Sequence, residues 1–460
     1  MISIGKTVDC LVLGGMMQDI LAGLRIIDST TAVAMPTAMH IMADLGAEII
    51  KVESHTLTRD ETGPYADNDP GDEPWNRDAS FQHLHRGKYS LTLDLKTAEG
   101  IKAYKELARV TDVIVENNRA GTMDRLGLGY GEIRNLKPDI IYFSNTGFGH
   151  TGPWKRYAGI GSMLELICGL SQFTGYPDEG TPRRVGAAWF DLHVAWMAVF
   201  AIMAALHYRS DTGKGQWVDF AMYQIGVSTL GDAILDYSIN GRNGRLMGNR
   251  HPVHAPYGVY RCQGDDKWIA IGIETDEQWV SLGSILGNGL MDNPKFEDPL
   301  SRKHHEDELD NYIAEWTGDK NAEVIMKTLQ EAGVPAYPVK NTKELLTDSH
   351  MEARNFYERF THPPESGIGI RAYVSRPWRM PEMPSVIHRP APRLGEQNEH
   401  IISDLLGWSD AEVSKLYALD VMGKIPSNTF ERKPVNLEAA VDEGTIAEID
   451  PDFKETLRYQ

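Results

Sequence analysis

Five short apolar runs before residue 145 constrain this chain more than anything else in it: residues 24–28, 48–53, 91–95, 112–116 and 139–144. They are rich in Ile, Val and Leu, the composition of strands buried on both faces. Helical stretches lie between them. Residues 36–45 begin with Pro36, favourable in a first helical turn. Residues 97–109 follow Thr97, a good helix cap. Strand and helix alternating at this spacing predict an α/β fold, a mainly parallel sheet with helices on both faces and right-handed crossovers. Ligands bind such sheets beyond the carboxyl ends of the strands, here after Asp28, Glu53, Glu116 and Ser144.

The pattern changes near Gly241. Residues 1–240 read as the first part of a large domain and residues 241–341 as a smaller α+β domain. The latter holds strands at 258–262, 267–273 and 334–339, the first two joined by a Gly264-Asp265-Asp266 turn, and helices starting at Asp276, Glu306 and Asn321. Residues 342–432 are expected to return to the large domain. Residues 433–460 form an acidic, weakly patterned extension that reads as surface-wrapping or partly disordered. Residues 56–78, rich in Asp, Pro, Gly and Asn, read as a long surface loop or lid.

A formal net charge of −19 argues against nucleic-acid or anionic-membrane partners. It also requires any anionic ligand to find a local basic pocket. Cys10, Cys168 and Cys262 are far apart, without metal or redox spacing, so no metal is expected and a reducing cytoplasm fits best. The apolar residues 10–17 lack the flanks of a secretion signal. Residues 194–206 are shorter than the about 20 needed to cross a bilayer and read as a buried core helix. No GxGxxG follows the first strand, and no Walker A, HExxH or GxSxG motif occurs, which disfavours the ordinary dinucleotide, kinase and hydrolase readings.

One carboxylate stands out. Asp191 follows Arg183-Arg184-Val185-Gly186-Ala187-Ala188-Trp189-Phe190 and precedes the apolar run at Val194. The plain reading is a helix N-cap; the functional one is a nucleophile at the mouth of an apolar helix. His193, two residues on, has the wrong offset to share its helix face. His251 and His254 make no convincing base or metal set. Cations and amides cluster at strand ends: His85-Arg86-Gly87-Lys88, Glu116-Asn117-Asn118-Arg119 and Asp124-Arg125. Singly these read as solvated surface groups; together they suit a phosphate-bearing ligand.

Taken as a set, several motifs make the chain resemble the class III CoA-transferases of the formyl-CoA transferase and carnitine CoA-transferase (CaiB/BaiF) family. They include Leu21-Ala22-Gly23-Leu24-Arg25, Ala43-Asp44-Leu45-Gly46-Ala47-Glu48, Arg86-Gly87-Lys88-Tyr89-Ser90-Leu91, Asp124-Arg125-Leu126-Gly127, Gly147-Phe148-Gly149-His150-Thr151-Gly152-Pro153, Thr212-Gly213-Lys214-Gly215-Gln216 and Pro392-Arg393-Leu394-Gly395-Glu396. The resemblance spans roughly residues 21 to 422. It implies a Rossmann-like large domain built from both chain ends, a smaller domain, and two subunits interlocked as a homodimer or with a related subunit. It implies acyl-CoA and a carboxylic acid as substrates, with no permanently bound cofactor. It places the catalytic aspartate at Asp191 and CoA contacts at Val33, Ala34, Leu93, Lys96, Asn117, Arg119 and Arg125. The implied reaction runs through an Asp191 anhydride and an aspartyl–CoA thioester.

Departures from the family narrow the reading. Formyl-CoA transferases carry glutamine at the position of Val33, and a glycine-rich flap where this chain has Gly248 to Tyr257. Trp189, Phe190 and Trp196 flank the nucleophile. A larger acyl group, aromatic or dicarboxylic, is expected. The alternative within the superfamily is an α-methylacyl-CoA racemase, whose histidine and aspartate positions are Ile160 and Gly161 here, so the second base is missing. A subunit of a heteromeric transferase is the other alternative.

Overall fold

The apolar runs pair edge to edge in one six-stranded sheet. The computed structural model describes residues 19–56, 59, 64–186, 188–287, 289–381, 387–429 and 431–459; the apolar residues 10–17 lie outside these. The strands are β1 (Arg25–Ser29), β2 (Glu48–Glu53), β3 (Tyr89–Thr92), β4 (Val113–Glu116), β5 (Ile141–Thr146) and β6 (Gln216–Ala221). Their spatial order is β3-β2-β1-β4-β5-β6, and every pairing is parallel. Ile26 stands beside Ile49 on one side and Val113 on the other. These three, with Ile27, Ile50, Ile114 and Phe143, are fully buried, as both-face coverage requires. The strand order reverses between β1 and β4, so Ser29 and Glu116 mark the crevice where such sheets bind ligands.

β3 lies at the sheet edge, where unpaired backbone groups need cover. Cover comes from far along the chain. Ser90 N donates to Gln397 Oε1 (2.8 Å), Thr92 N to Asn398 Oδ1 (2.8 Å) and Asp94 N to Val421 O (2.8 Å). Gln397, Asn398 and Val421 thus lie against the edge of the large sheet.

The chain divides into two compact units: residues 1–164, 187–225 and 349–460, and residues 165–186 and 226–348. The second unit thus begins before Gly241 and also takes residues 165–186. It contains an antiparallel sheet of β7 (Tyr257–Arg261), β8 (Trp268–Gly272) and β9 (Ala336–Pro338). The helices Asp276–Leu286, Glu306–Thr317 and Ala322–Glu331 close a core around Ile269, Trp279, Leu309 and Leu329. Thr275 and Gln278 cap the first of these reciprocally. Arg250, in the segment from Gly248 to Tyr257, is tied to Glu306 (2.9 Å) and Asp310 (2.8 Å) at the head of the second.

In the first unit, β10 (Tyr357–Thr361) and β11 (Ile370–Val374) form an antiparallel pair. The C-terminal extension is ordered into helices Leu437–Asp442 and Phe453–Thr456. Asn68 exchanges two hydrogen bonds with the Val435 backbone, and Lys454 pairs with Asp67 at 2.9 Å.

The apolar run at 194–206 is part of a longer helix, Trp189–Thr212, of 24 residues. It is long and apolar enough to cross a membrane by length and composition alone, a test that core helices of soluble proteins also pass. One face, with Val194, Ala195, Ala198 and Ile202, is buried, and the helix packs on helix Ala34–Asp44 and on β5. The other face is open: Phe200 is 69% exposed. The expectation of a buried core helix therefore holds for one face alone: the run is apolar all round, and among the described residues the face with Phe200 is left open.

Candidate functional site

The helix Trp189–Thr212 is headed by Ala188, which makes no side-chain cap. Asp191 sits inside its first turn, so the reading of Asp191 as an N-cap is corrected. A carboxylate there is still favoured by the positive end of the helix dipole. Its position is set by what it rests on. A β-carbon placed on Gly161 would lie 2.2 Å from Asp191 Oδ2 and 2.4 Å from Oδ1. Gly159 and Gly147 are pressed together beside it, a β-carbon on Gly159 coming within 2.8 Å of the Gly147 Cα. The carboxylate thus rests on bare backbone. Ile160, the position of the racemase histidine, is 67% exposed.

A second feature lies at the carboxyl ends of β1 to β4, where the topology predicts it. A cavity of about 390 Å³ is lined by Ser29, Thr30 and Thr31 after β1, Lys51 and Glu53 on β2, Leu93 and Lys96 after β3, and Asn118 and Met123 after β4. Lys51 donates to Thr30 O at 3.0 Å, and Arg59 grips Glu53 at 2.7 Å. The Glu53 carboxyl is held below its usual range: burial pushes it up, but Arg59, Lys51 and the hydrogen bonds of Arg59 and Ser90 outweigh that.

Of the residues expected at a CoA site, Leu93 and Lys96 line this cavity directly. Asn117 acts through another segment. Its Oδ1 accepts from Thr31 N (3.0 Å) and its Nδ2 donates to Thr31 O (2.8 Å), pinning the loop after β1 to the end of β4. That loop contains Ala32 at φ 63° and leads to Val33, which heads helix Ala34–Asp44. Arg119 lines a smaller cleft of about 130 Å³ with Glu116, His150 and Trp217. Burial raises the Glu116 carboxyl, whose Oε1 lies 4.0 Å from His150 Nε2. Arg125 is exposed and bonds Thr122 Oγ1 at 3.0 Å. The sequence does not single out Lys51, Glu53 or Arg59 as cavity residues; the strand assignment that puts residues 48–53 in the sheet is the signal that points to them.

Two cations expected at the surface are elsewhere. Lys88 is fully buried against Asp28 at 2.8 Å, and Arg86 is buried against Asp44 at 2.7 Å. Burial lowers the Lys88 ammonium to about 8 and raises the Asp44 carboxyl. Both pairs tie the segment before β3 to β1 and to helix Ala34–Asp44, a structural task. His251 is likewise occupied locally, its Nδ1 accepting from the backbone N–H groups of Val253 and His254.

The chain matches the family model described as CoA-transferase family III over residues 21–398. It is 33% identical over 406 residues to the succinyl-CoA–D-citramalate CoA-transferase of Chloroflexus aurantiacus, covering 87% of this chain and 97% of that protein. It is 33% identical over 390 residues to the succinate–glutarate CoA-transferase of Agrobacterium fabrum, covering 84% and 95%. The crystal structure of a CaiB/BaiF family protein from Brucella suis superposes with a TM-score of 0.76 at 30% identity, over 85% of this chain and all of that one. A parallel sheet open at its carboxyl edge, a carboxylate resting on bare backbone at the head of an apolar helix and these relatives agree: the chain belongs to CoA-transferase family III, enzymes that move coenzyme A from an acyl-CoA to a carboxylic acid.

Proposed function

We propose that Asp191 is the nucleophile of this transferase and that its substrates are succinyl-CoA and a short dicarboxylic acid. The observation that carries the first part is the Asp191 carboxylate lying against Gly161 in the first turn of an apolar helix. The second part rests on the relatives, whose names pair succinyl-CoA with D-citramalate and succinate with glutarate. They favour the dicarboxylic over the aromatic branch of the expected acyl groups.

Asp191 Oδ attacks the thioester carbonyl of the donor, the C–S bond breaks and CoA thiolate leaves, giving a mixed anhydride. The thiolate attacks the Asp191 acyl carbon of that anhydride and expels the donor acid as its carboxylate. The acceptor carboxylate then attacks the aspartyl–CoA thioester, releasing thiolate and forming a second anhydride. Attack of the thiolate on the acceptor carbonyl of that anhydride yields the new acyl-CoA and restores Asp191. Helix-start N–H groups favour the oxyanions of each step. The CoA nucleotide occupies the cavity of Leu93 and Lys96, with Val33, Ala34, Asn117, Arg119 and Arg125 around it. Local cations such as Lys51 and Lys96 offset a global field set by a net charge of −19. A racemase reading lacks support, because Ile160 and Gly161 supply no titratable group.

The working assembly is an interlocked pair with a second copy or a related subunit, and the open face of helix Trp189–Thr212 supports a partner. A cytoplasmic setting suits Cys168 and Cys262, both buried free thiols.

The test is trapping. After incubation with succinyl-CoA and quenching with hydroxylamine, mass spectrometry should find the modification on the peptide containing Asp191. Asp191→Asn should show neither modification nor transfer. Transfer persisting in Asp191→Asn refutes the nucleophile. Oxalate accepted and glutarate refused refutes the substrate class. Solvent deuterium entering the α-carbon without an acceptor acid supports a racemase instead.

A further inference from the structure

A cavity larger than the nucleotide cleft lies elsewhere in the first unit. A space of about 580 Å³ lies between the C-terminal extension, β11 and helix Ala79–His85. Its size suits a drug-sized ligand. The walls are mainly apolar: Ile368, Ala372 and Val374 on one side, Leu437 and Phe453 of the extension on another. Three cations, Arg77, Arg371 and Lys454, face it; Asp67 is the one carboxylate among the described lining residues, and Arg77 also pairs with Asp69 at 3.5 Å. Asp67 is shared, its Oδ1 lying 2.9 Å from Arg371 and its Oδ2 2.9 Å from Lys454. The lining therefore keeps net positive charge on a strongly acidic protein.

The extension is fastened so as to hold this space open. Tyr459 OH accepts from Ala372 N at 3.0 Å while the Arg371 guanidinium lies over the Tyr459 ring. Asn68 and Val435 form the second fastening. Leu437, Phe453 and Lys454 lie past residue 398, where the match to the family model ends. Helix Ala79–His85 separates the cavity from the nucleotide cleft: Gln82 and His83 line the first, Phe81 and His85 the second.

We infer that this cavity binds an organic monocarboxylate with an apolar body, its carboxylate among Arg371, Lys454 and Arg77 and its body against Ile368, Leu437 and Phe453. The apolar walls select the body and the excess cations select the charge. The site is separate from the CoA exchange and does not depend on the mechanism proposed for it.

Calorimetric titration of the full chain with sodium octanoate, and separately with octan-1-ol, tests this. Octanoate should bind saturably, one per chain, with octanol at least tenfold weaker, and saturating CoA should not displace it. Lys454→Gln should weaken octanoate about tenfold and leave octanol unchanged. Leu437→Trp, which fills the space from the extension side, should abolish both, while the thermal midpoint and CoA binding stay those of the parent. Displacement of octanoate by CoA, binding that survives Leu437→Trp, or no saturable binding would each overturn the inference.

Discussion

The Asp191 carboxylate rests on the α-carbon of Gly161, so that a single methyl group at 161 would come within 2.2 Å of Oδ2. Residue 161 is thus part of the seat of the proposed nucleophile. The side chain it lacks is the space the carboxylate uses, and any β-carbon there must push the carboxylate off the bare backbone.

Gly161→Ala should therefore lower kcat on the order of 100-fold, the cost of moving a reacting group by about an ångström. KM for the acyl-CoA should stay within about threefold, because the nucleotide cavity is untouched. Steady-state kinetics read both; a kcat within about threefold of the parent would refute the role of Gly161.

Asn117 holds Thr31 by two backbone hydrogen bonds without lining the nucleotide cavity. Asn117→Ala removes both, at a cost of about 1 kcal/mol each. KM for the acyl-CoA should rise about tenfold with kcat largely kept, since the loop before Val33 loses its tether. An unchanged KM would show that the loop holds itself.

Lys88 and Asp28 are buried together, with Lys88 Nζ also donating to Pro36 O at 3.1 Å. Lys88→Met leaves the Asp28 charge buried without its ammonium and should cost about 3–5 kcal/mol of stability. Lys88→Met combined with Asp28→Asn should recover much of that loss. Denaturant melts of the parent, the single and the double variants decide it; a double variant no better than the single would show that the ion pair is not what Lys88 contributes.

His83 titrates at about 4, held down by burial first and by Arg86 second. Its folded value lies below the unfolded 6.5, so the unfolded chain takes up the proton first as pH falls. Stability should drop from about pH 6.5 and this contribution should level off near pH 4, with up to about 3 kcal/mol lost. His40 and His85, both lowered well below 6.5 chiefly by burial, extend the decline to lower pH. Urea unfolding across pH 7 to 4.5 should show this slope, and His83→Gln should flatten it; an equal slope in the variant would assign it to other groups.

Much of the sheet is legible in sequence because its signals are local. β1, β2, β4 and β5 fall within two residues of the apolar runs that predict them, and Thr97 caps its helix by accepting from Gly100 N as expected. β3 begins two residues earlier than its pattern, since its register is held by Gln397 and Asn398, some 300 positions away. β6 escapes notice because Gln216-Trp217-Val218-Asp219 alternates in exposure and shows no apolar run. The same non-locality explains Arg86 and Lys88. Beside Gly87 they read as a surface cation pair, but their partners Asp44 and Asp28 lie 42 and 60 residues back. Asp191 stands out in sequence by its setting, whereas its seat on Gly161 depends on a contact across 30 residues that no local pattern encodes.

The sealing of β3 also sets a schedule for synthesis. Ser90, Thr92 and Asp94 leave the ribosome long before Gln397, Asn398 and Val421, the groups that satisfy their backbone donors. The rim of the cavity beside Leu93 thus stays an open strand edge while some 300 residues are still being made. For that interval the nascent chain exposes a template to which another strand can add. A cell that makes this enzyme in quantity must shield that edge until translation is nearly complete.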